Sequence, residues 1–205
     1  MMRYPKYFDT SLKYFPILIL YTLLNELLGV LIYKFDTFSL EFNNMYSDNY
    51  IVIYTIYNIL FFLYFFYLFR FYITNEAFKK LIKYGSMFFL ATCLINPVFQ
   101  NLYTQYQYFI FFSGALLLIM SVLLYIKEQK ENGFQNLKNN VLFWIGLGLL
   151  LYHVGYIPIK VIRFQNELTG QTEISTLRTI HFMLLVFMYT CFIIGFLRLK
   201  KRLPR

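Results

Sequence analysis

The sequence predicts an all-α protein in which six transmembrane helices form one domain over residues 1–205, with the N- and C-termini in the cytoplasm. The first observation is composition, since 59% of the residues are hydrophobic and 14% are charged, whereas a soluble domain carries about 25% charged residues. The second is the presence of six apolar stretches close to the roughly 20 residues that cross a bilayer. The third is the uneven distribution of Lys and Arg between the two sides of these stretches.

The first predicted helix spans residues 14–33 and follows a basic segment at 1–13. Its apolar run is longer than the core of a typical signal peptide, and no small-residue cleavage motif follows it, so we expect this helix to be retained. A connector at 34–49 carries three acidic residues. It leads to the second helix at 50–69, which ends before Arg70.

Residues 70–83 are basic and amphipathic, and this pattern predicts a segment that lies on the membrane surface. The third helix is predicted at 84–102. It contains the pair Asn96-Pro97, which should kink the helix because proline removes a backbone donor. The fourth helix is predicted at 108–126, where a patch of small residues indicates close helix packing.

The loop at 127–140 is the most polar segment of the chain, and we expect it to be flexible. The fifth helix is predicted at 141–160, and the sixth at 177–197. Ser175 or Thr176 is the expected N-cap of the sixth helix, because a hydroxyl oxygen accepts a hydrogen bond from an unpaired backbone N–H there.

Basic residues set the predicted orientation. Fifteen of the 19 Lys and Arg residues lie in the segments that share a side with the two termini, and each such segment is more basic than its neighbours on the other side. Both termini are therefore predicted to be cytoplasmic. The net charge of +9 follows from this orientation and from attraction to anionic lipid, so no nucleic-acid partner is predicted.

Two basic segments are expected to contact anionic lipid at the cytoplasmic face or a cytoplasmic or membrane protein partner. A second copy of the chain is a further candidate partner. The contact residues are Arg70, Lys79, Lys80, Lys83, Arg198, Lys200, Lys201 and Arg202.

The strongest functional signal is Glu26, an acidic residue inside the first predicted helix. A carboxyl group at this depth costs about 2.5–3.5 kcal/mol on insertion scales and usually faces other helices, water or a ligand. Other polar side chains fall at similar depth in the outer half of the membrane, and together they predict a pocket open to the extracytoplasmic side. The predicted pocket residues are Asn25, Glu26, Asn58, Asn96, His153 and His181.

Within this predicted pocket, our working hypothesis is that Glu26 meets His153 or His181. The alternative for the asparagines is a structural one, in which they join helices by hydrogen bonds that contribute less than about 1 kcal/mol each. The two cysteines lie in apolar stretches without metal-site spacing and are interpreted as small buried side chains.

Neither a cofactor nor a metal is predicted. The two histidines would suit one bis-histidine haem, and Glu26 with both histidines would supply three zinc ligands, but no metal-binding motif supports either. No nucleophile elbow, Walker loop or dinucleotide motif occurs. The high content of Phe and Tyr is attributed to genome composition and interfacial belts rather than to a ligand cage.

Several short patterns resemble those of a loosely defined group of small bacterial polytopic membrane proteins, which look like membrane sensor modules detached from signalling kinases. They are Asn25-Glu26, the aromatic-to-basic stretch 61–83, the Phe-Trp-Ile-Gly sequence at 143–146, Met188-Tyr189 and Ile194-Gly195-Phe196. The resemblance covers most of the chain and implies a sensory role, and it carries over no catalytic residue. Many members of the group have seven helices, whereas six are predicted here.

The expected function is therefore a sensor or signalling accessory in the bacterial cytoplasmic (inner) membrane, with no enzymatic activity. One alternative is an intramembrane lipid-acting hydrolase that uses Glu26 with His153 or His181. Another is an oligomeric effector that permeabilises the bilayer.

Overall fold

The computed structural model describes residues 10–34, 49–101, 106–133, 140–171 and 174–199. A short 3-10 turn at Ser11–Tyr14 leads into the first of six long helices in this part of the chain. They are α1 (Phe15–Lys34), α2 (Asn49–Tyr72), α3 (Glu76–Phe99), α4 (Tyr108–Glu131), α5 (Val141–Thr169) and α6 (Ser175–Arg198). Each is long and apolar enough to cross a membrane, which confirms the predicted all-α, multi-pass architecture.

Helices α2, α4 and α5 form the centre of the bundle. In each of these spans 44% of the residues are buried, against 17% in α3 and 22% in α6. Apolar side chains of the peripheral helices are therefore left for lipid, which is how a membrane bundle covers its outside. The core between the central helices combines aliphatic side chains with many aromatic rings, including Phe62, Phe65, Phe69 and Tyr125.

Six passes bring Thr10 and Leu199 to the same end of the bundle, which we call the terminal end; the opposite end is the distal end. At the terminal end Phe15 of α1 packs on Phe192 and Phe196 of α6, with ring centroids 5.4 and 5.2 Å apart. Phe15 is buried, whereas Glu26, three turns later on α1, is exposed at the surface of the bundle.

Glycines allow α5 and α6 to pack at short range. A Cβ placed on Gly148 would lie 3.0 Å from the backbone oxygen of Met188, and one on Gly195 would lie 3.2 Å from the backbone oxygen of Val141. Backbones can approach this closely only where a helix lacks a side chain. These two positions explain why α5 and α6 run side by side over most of their length.

The largest difference from the sequence-based expectation is the length of α5. The helix continues nine residues past Lys160 and ends at Thr169, because Gly170 adopts a left-handed conformation (φ 67°) that stops the helix and lets Gln171 N donate to Asn166 O. The charges after Lys160 had indicated a connector. They instead belong to the distal turns of the helix.

The segment 70–83 also differs from the sequence-based prediction, because it does not form a separate helix on the membrane surface. Its start completes α2, and residues from Glu76 onward are the first turns of α3. Asn75 caps α3, because its side-chain oxygen accepts hydrogen bonds from the backbone N–H groups of Ala77 and Phe78.

Two further details differ from expectation. Ser175 is the first residue of α6, and Ile174 occupies the N-cap position without a side-chain hydrogen bond. Pro97 lies in the last turn of α3, which ends at Phe99. Parts of the predicted segments 1–13, 34–49, 127–140 and 161–176, and basic residues Lys200, Lys201 and Arg202, lie outside the described residues.

Candidate functional site

A cavity between five helices contains the most unusual side chain of α1, and we call it the Glu26 cavity. Its volume is about 30 Å³, which is room for about one or two water molecules. Its lining residues are Thr22, Glu26, Tyr54, Tyr57, Asn58, Phe61, Phe62, Phe111, Tyr152, His153, Leu185 and Met188. Glu26 also belongs to the exposed surface, so the cavity opens where Glu26 lies.

Hydrogen bonds hold the α1 wall of this cavity in place. Thr22 lies one turn before Glu26 on the same face of α1 and donates its hydroxyl to Leu18 O at 2.9 Å. The hydroxyl of Tyr57 on α2 donates in turn to Thr22 Oγ1 at 3.0 Å. This chain of hydroxyls joins α1 to α2 and leaves Glu26 as the acidic group beside it.

His153 forms the deep wall of the Glu26 cavity. It is 1% exposed, and its Nδ1 lies 2.8 Å from Leu149 O, an arrangement that places a proton on Nδ1 and leaves Nε2 of a neutral ring as an acceptor. The rings of Phe62 and Tyr152 lie 5.6 and 5.0 Å away. Glu26 and His153 thus line one cavity, without a direct hydrogen bond or ion pair between them in the described residues.

His181 does not line the Glu26 cavity. Its Nε2 is 3.1 Å from the Tyr152 hydroxyl, and its ring stacks on Tyr156 with a centroid distance of 4.1 Å and an interplanar angle of 10°. Tyr152 therefore lies between the two imidazoles. Within the described ranges no three His, Cys, Asp or Glu side chains come close enough to hold a metal ion, so Glu26, His153 and His181 do not form a three-ligand group.

The remaining predicted pocket residues have separate surroundings. Asn96 is buried at the distal end of α3, and its Nδ2 donates to Gln100 Oε1 at 3.2 Å and to Gln107 Oε1. These three amide side chains join the end of α3 to the start of α4, so Asn96 has a structural role. Asn25 is half-buried next to Glu26 but does not line the cavity, whereas Asn58 does.

A second, smaller cavity adjoins the first, and we call it the Lys160 cavity. Its volume is about 10 Å³, which is about the space of one water molecule. The two cavities share Tyr54, Asn58 and Phe111 as a common wall. The other lining residues of the second cavity are Thr55, Tyr106, Gln107, Ile110 and Lys160.

Lys160 is 5% exposed and is enclosed by aromatic rings. Its Nζ lies 5.1–5.7 Å from the centroids of five rings. These belong to Tyr54, Tyr106, Tyr108, Phe111 and Tyr156. Each such contact contributes about 0.5–2 kcal/mol, so the rings offset much of the several kcal/mol that desolvating an ammonium costs.

Sequence reasoning missed this ring cage because it placed Lys160 at the end of a helix. Two signals could have indicated it. Tyr156 precedes Lys160 by one helical turn and therefore shares its face, and Gly170 marks the helix end nine residues later than the first charge.

A second buried charge lies toward the terminal end, where Glu128 of α4 is 3% exposed. Its Oε1 accepts hydrogen bonds from Thr74 N at 2.7 Å, Asn75 N at 3.0 Å and the Thr74 hydroxyl. Among the residues that the structure describes, its Oε2 is buried without a hydrogen-bond partner. The carboxylate thereby fixes the turn between α2 and α3, a role that sequence reasoning also missed.

The described basic residues that were predicted to contact lipid or a partner lie at the terminal end. Arg70, Lys80 and Lys83 are exposed. Lys79 pairs with Glu76 at 2.8 Å, and the guanidinium of Arg198 lies 5.0 Å from the Trp144 ring centroid. Exposed pairs of this kind contribute little stability, so these side chains remain accessible to another surface.

Comparison of the chain with protein-family models, with curated proteins and with solved structures gave no match.

Proposed function

We propose that the protein is a sensor or signalling accessory in the bacterial cytoplasmic membrane, and that its signal is a proton or small cation bound beside Glu26. The observation that carries this proposal is a carboxyl group at the opening of a cavity between five membrane helices. A carboxyl group at this depth favours neutralisation by a proton or a cation. Its occupancy is therefore coupled to the arrangement of the helices around it.

The size and lining of the cavity support a small ligand. Sites for drug-sized molecules measure about 300–1,000 Å³, far above the volume of about 30 Å³ found here. Tyr57 and Asn58, which carry a hydroxyl and an amide group, line the cavity together with Glu26. Carboxylate, hydroxyl and amide oxygens are groups that bind hard cations, and a carboxylate also takes up a proton.

The attachment of α1 supports a conformational response. Phe15 packs on α6 at the terminal end, and Glu26 lies about 16 Å further along the helix at about 1.5 Å per residue. A charge change at Glu26 would alter the spacing between α1 and α6 at the distal end. A ligand shifts such an equilibrium by its difference in affinity for the two arrangements.

A signalling role also needs a contact surface at the other end of the molecule. The exposed basic residues Arg70, Lys80 and Lys83 would contact anionic lipid or a cytoplasmic partner. With both termini in the cytoplasm, the Glu26 cavity would face the extracytoplasmic side. The cavity and the basic surface would then lie on opposite sides of the membrane.

The test is a distance measurement between α1 and α6. Spin labels are placed at Leu24→Cys and Met183→Cys, two exposed positions, after Cys93→Ser and Cys191→Ser remove the native thiols. We expect the distance distribution in lipid nanodiscs to change between acidic and neutral pH or on adding Na⁺ or K⁺. Glu26→Gln should abolish that change, because an amide neither ionises nor binds a proton in this range.

The matched control is Glu131→Gln, which removes an exposed acid paired with Lys127 and should leave the response intact. The proposal would be contradicted if neither pH nor either cation changed the distance distribution of the parent protein. A response that persists in Glu26→Gln would contradict it equally.

A further inference from the structure

The opening of the Glu26 cavity lies on the face of α1 that meets lipid. Glu26 is exposed there, and the exposed side chains around it are apolar, namely Leu23, Leu24 and Leu27. Acyl chains carry no hydrogen-bonding groups, so they do not deliver a proton to a carboxylate. A proton that comes to Glu26 from water therefore needs polar groups of the protein along its way.

Two side chains form a hydrogen-bonded link from this cavity to the edge of the bundle, and we call them the Tyr152–His181 pair. Tyr152 of α5 lines the cavity. Its hydroxyl oxygen lies 3.1 Å from Nε2 of His181 on α6. Both side chains are half-buried, so the link begins at the cavity and ends at a histidine that is partly open to the outside.

His181 lies toward the distal end of the molecule. It is six residues after Ser175, the first residue of α6, which is about 9 Å at about 1.5 Å per residue. Its ring stacks on Tyr156, whose hydroxyl accepts a hydrogen bond from Arg163 at 2.8 Å. Polar groups thus continue from the pair into the distal turns of α5.

An imidazole passes a proton on because one ring nitrogen accepts a proton while the other releases one. In the inward direction, Nδ1 of His181 takes up a proton from the distal side, and Nε2 releases its own proton to the hydroxyl oxygen of Tyr152. The hydroxyl proton of Tyr152 moves to a water molecule in the cavity, and this water gives a proton to the Glu26 carboxylate. One proton is transferred in total, and the imidazole is left in its other neutral tautomer until the ring rotates.

The space between Tyr152 and Glu26 suits such a transfer. The cavity volume of about 30 Å³ holds about one or two water molecules. Water in this space would be in contact with the hydroxyl of Tyr152 and with the carboxyl group of Glu26, since both residues line the cavity.

His153 does not offer the same route. It is 1% exposed, and its Nδ1 lies 2.8 Å from Leu149 O of its own helix. Its ring therefore reaches the cavity but not the outside. Of the two histidines in the chain, His181 is the one that is partly exposed and also bonded to a residue of the cavity lining.

Titratable and charged groups of α1, α2 and α5 surround the pair. They are Glu26 of α1, Tyr54 and Tyr57 of α2, and Tyr156, Lys160 and Arg163 of α5. Glu26 is the carboxylic acid in this set, so the route from His181 ends at its carboxylate.

We propose that the Tyr152–His181 pair is a proton relay between the distal side and Glu26. The inference rests on the proposed function, because it requires that Glu26 takes up a proton, and it adds the path that the proton follows. Close contacts at Gly148 and Gly195 already hold α5 against α6. The hydrogen bond of the pair is therefore not needed to join these two helices.

The test measures how fast Glu26 becomes protonated in the full-length protein in lipid nanodiscs. A light-released proton starts the reaction, and time-resolved infrared spectroscopy follows the C=O stretch of a protonated carboxyl group, which is assigned to Glu26 by its loss in Glu26→Gln. We expect Tyr152→Phe and His181→Ala to slow the appearance of this band by about tenfold or more, as expected for loss of a positioned proton-transfer group. The pH at which half of the band is present at equilibrium should change little, because a relay alters the rate only.

Two further measurements separate a relay from a structural role. Imidazole added to His181→Ala should restore the rate, because a free imidazole can carry the proton in place of the missing ring. Tyr64→Phe is the control, since it removes a hydroxyl that is bonded to Ser11 O at the terminal end, and it should keep the rate of the parent protein.

Equal rates in the parent protein, Tyr152→Phe and His181→Ala would overturn the relay and leave proton binding at Glu26 intact. Slow uptake in His181→Ala that imidazole does not restore would also overturn the relay. If His181→Ala does not fold, the rate of Tyr152→Phe decides by itself. A carboxyl band that never appears in the parent protein would contradict proton binding at Glu26, and the relay with it.

Discussion

Lys160 and Glu128 are both almost completely buried, and each is met by groups from neighbouring segments. Rings from α2, α4, α5 and the residues before α4 surround the ammonium, while Thr74 and Asn75 donate to the carboxylate. Buried charges are expensive unless they are paired or hydrogen-bonded. Each residue therefore fixes the position of the segments that compensate it.

The buried carboxyl group of Glu128 should contribute to the stability of the protein. Glu128→Leu removes the acceptor for the donors of Thr74 and Asn75 and should lower the free energy of unfolding by about 1–3 kcal/mol. The measurement is unfolding in detergent followed by circular dichroism. The control is Glu131→Leu, since Glu131 lies three residues away in an exposed pair with Lys127 that contributes less than about 1 kcal/mol. Equal destabilisation by both variants would contradict the capping role of Glu128.

Single residues differed in how far the sequence predicted their surroundings. An acid inside an apolar stretch is conspicuous, so Glu26 could be assigned to a polar site from its position alone. Asn58 and His153 line the same cavity, and their similar depth is visible in the sequence, while their role in a functional pocket stays a prediction. Asn96 has similar depth but faces Gln107, because depth does not determine which way a side chain points around the helix axis.

At the scale of helices, the packing of α2 against α4 depends on one ring and one glycine. A Cβ on Gly114 would collide with the ring of Phe62, which is itself 1% exposed. The ring is packed by Phe89 and Phe111 at 5.6 and 6.2 Å, and these neighbours restrict its movement. The predicted small-residue contact on α4 is thus a contact with a side chain of α2.

Gly114→Ala should therefore lower the free energy of unfolding by about 1–3 kcal/mol, as expected for overpacking of a dense core. Gly85→Ala on α3 is the control, because its Cβ would meet the flexible end of Leu117 at 2.8 Å, which can rotate away. Thermal unfolding of both variants in the same detergent gives the comparison. A Gly114→Ala protein as stable as Gly85→Ala would contradict this account of the α2–α4 contact.

The existence of all six helices could be predicted from hydropathy, since a chain must satisfy its backbone groups internally to cross a bilayer. The residues at which the helices end could not be predicted in this way. The sequence predicts a connector from residue 161 and a membrane-surface segment at 70–83, yet residues 161–169 continue α5 and residues 76–83 begin α3. Caps such as Gly170 and Asn75 decide where a helix ends or begins. Hydropathy locates the apolar part of a helix but does not show how many polar turns extend beyond it.

At the scale of the whole molecule, α5 is longer than the membrane requires. Its 29 residues extend about 43 Å, compared with a hydrocarbon core of about 30 Å. The distal turns around Gln165, which is exposed, should therefore reach water. Because the basic residues predict cytoplasmic termini, this end should be outside the cell.

We expect Gln165→Cys, in a background without the native cysteines, to react with a membrane-impermeant maleimide on intact cells. Lys83→Cys, an exposed position toward the terminal end, should react only after the membrane is opened. The opposite pattern would show an inverted orientation, and protection of Gln165→Cys in both preparations would contradict the protrusion of α5. Gel-shift detection of the label is sufficient for the comparison.

The ring contacts of Phe15 lie nearer the terminal end of α1 than the Tyr57–Thr22 hydrogen bond does, and this has a geometric consequence. Phe15 acts as a pivot against Phe192 and Phe196, and Glu26 lies about 16 Å along the axis from it at about 1.5 Å per residue. A rotation of about 5° about that pivot displaces the Cα atom of Glu26 by about 1.4 Å, which is the radius of a water molecule. Angular changes too small to disturb the aromatic core would thus be enough to admit or expel a single water molecule at the acidic group.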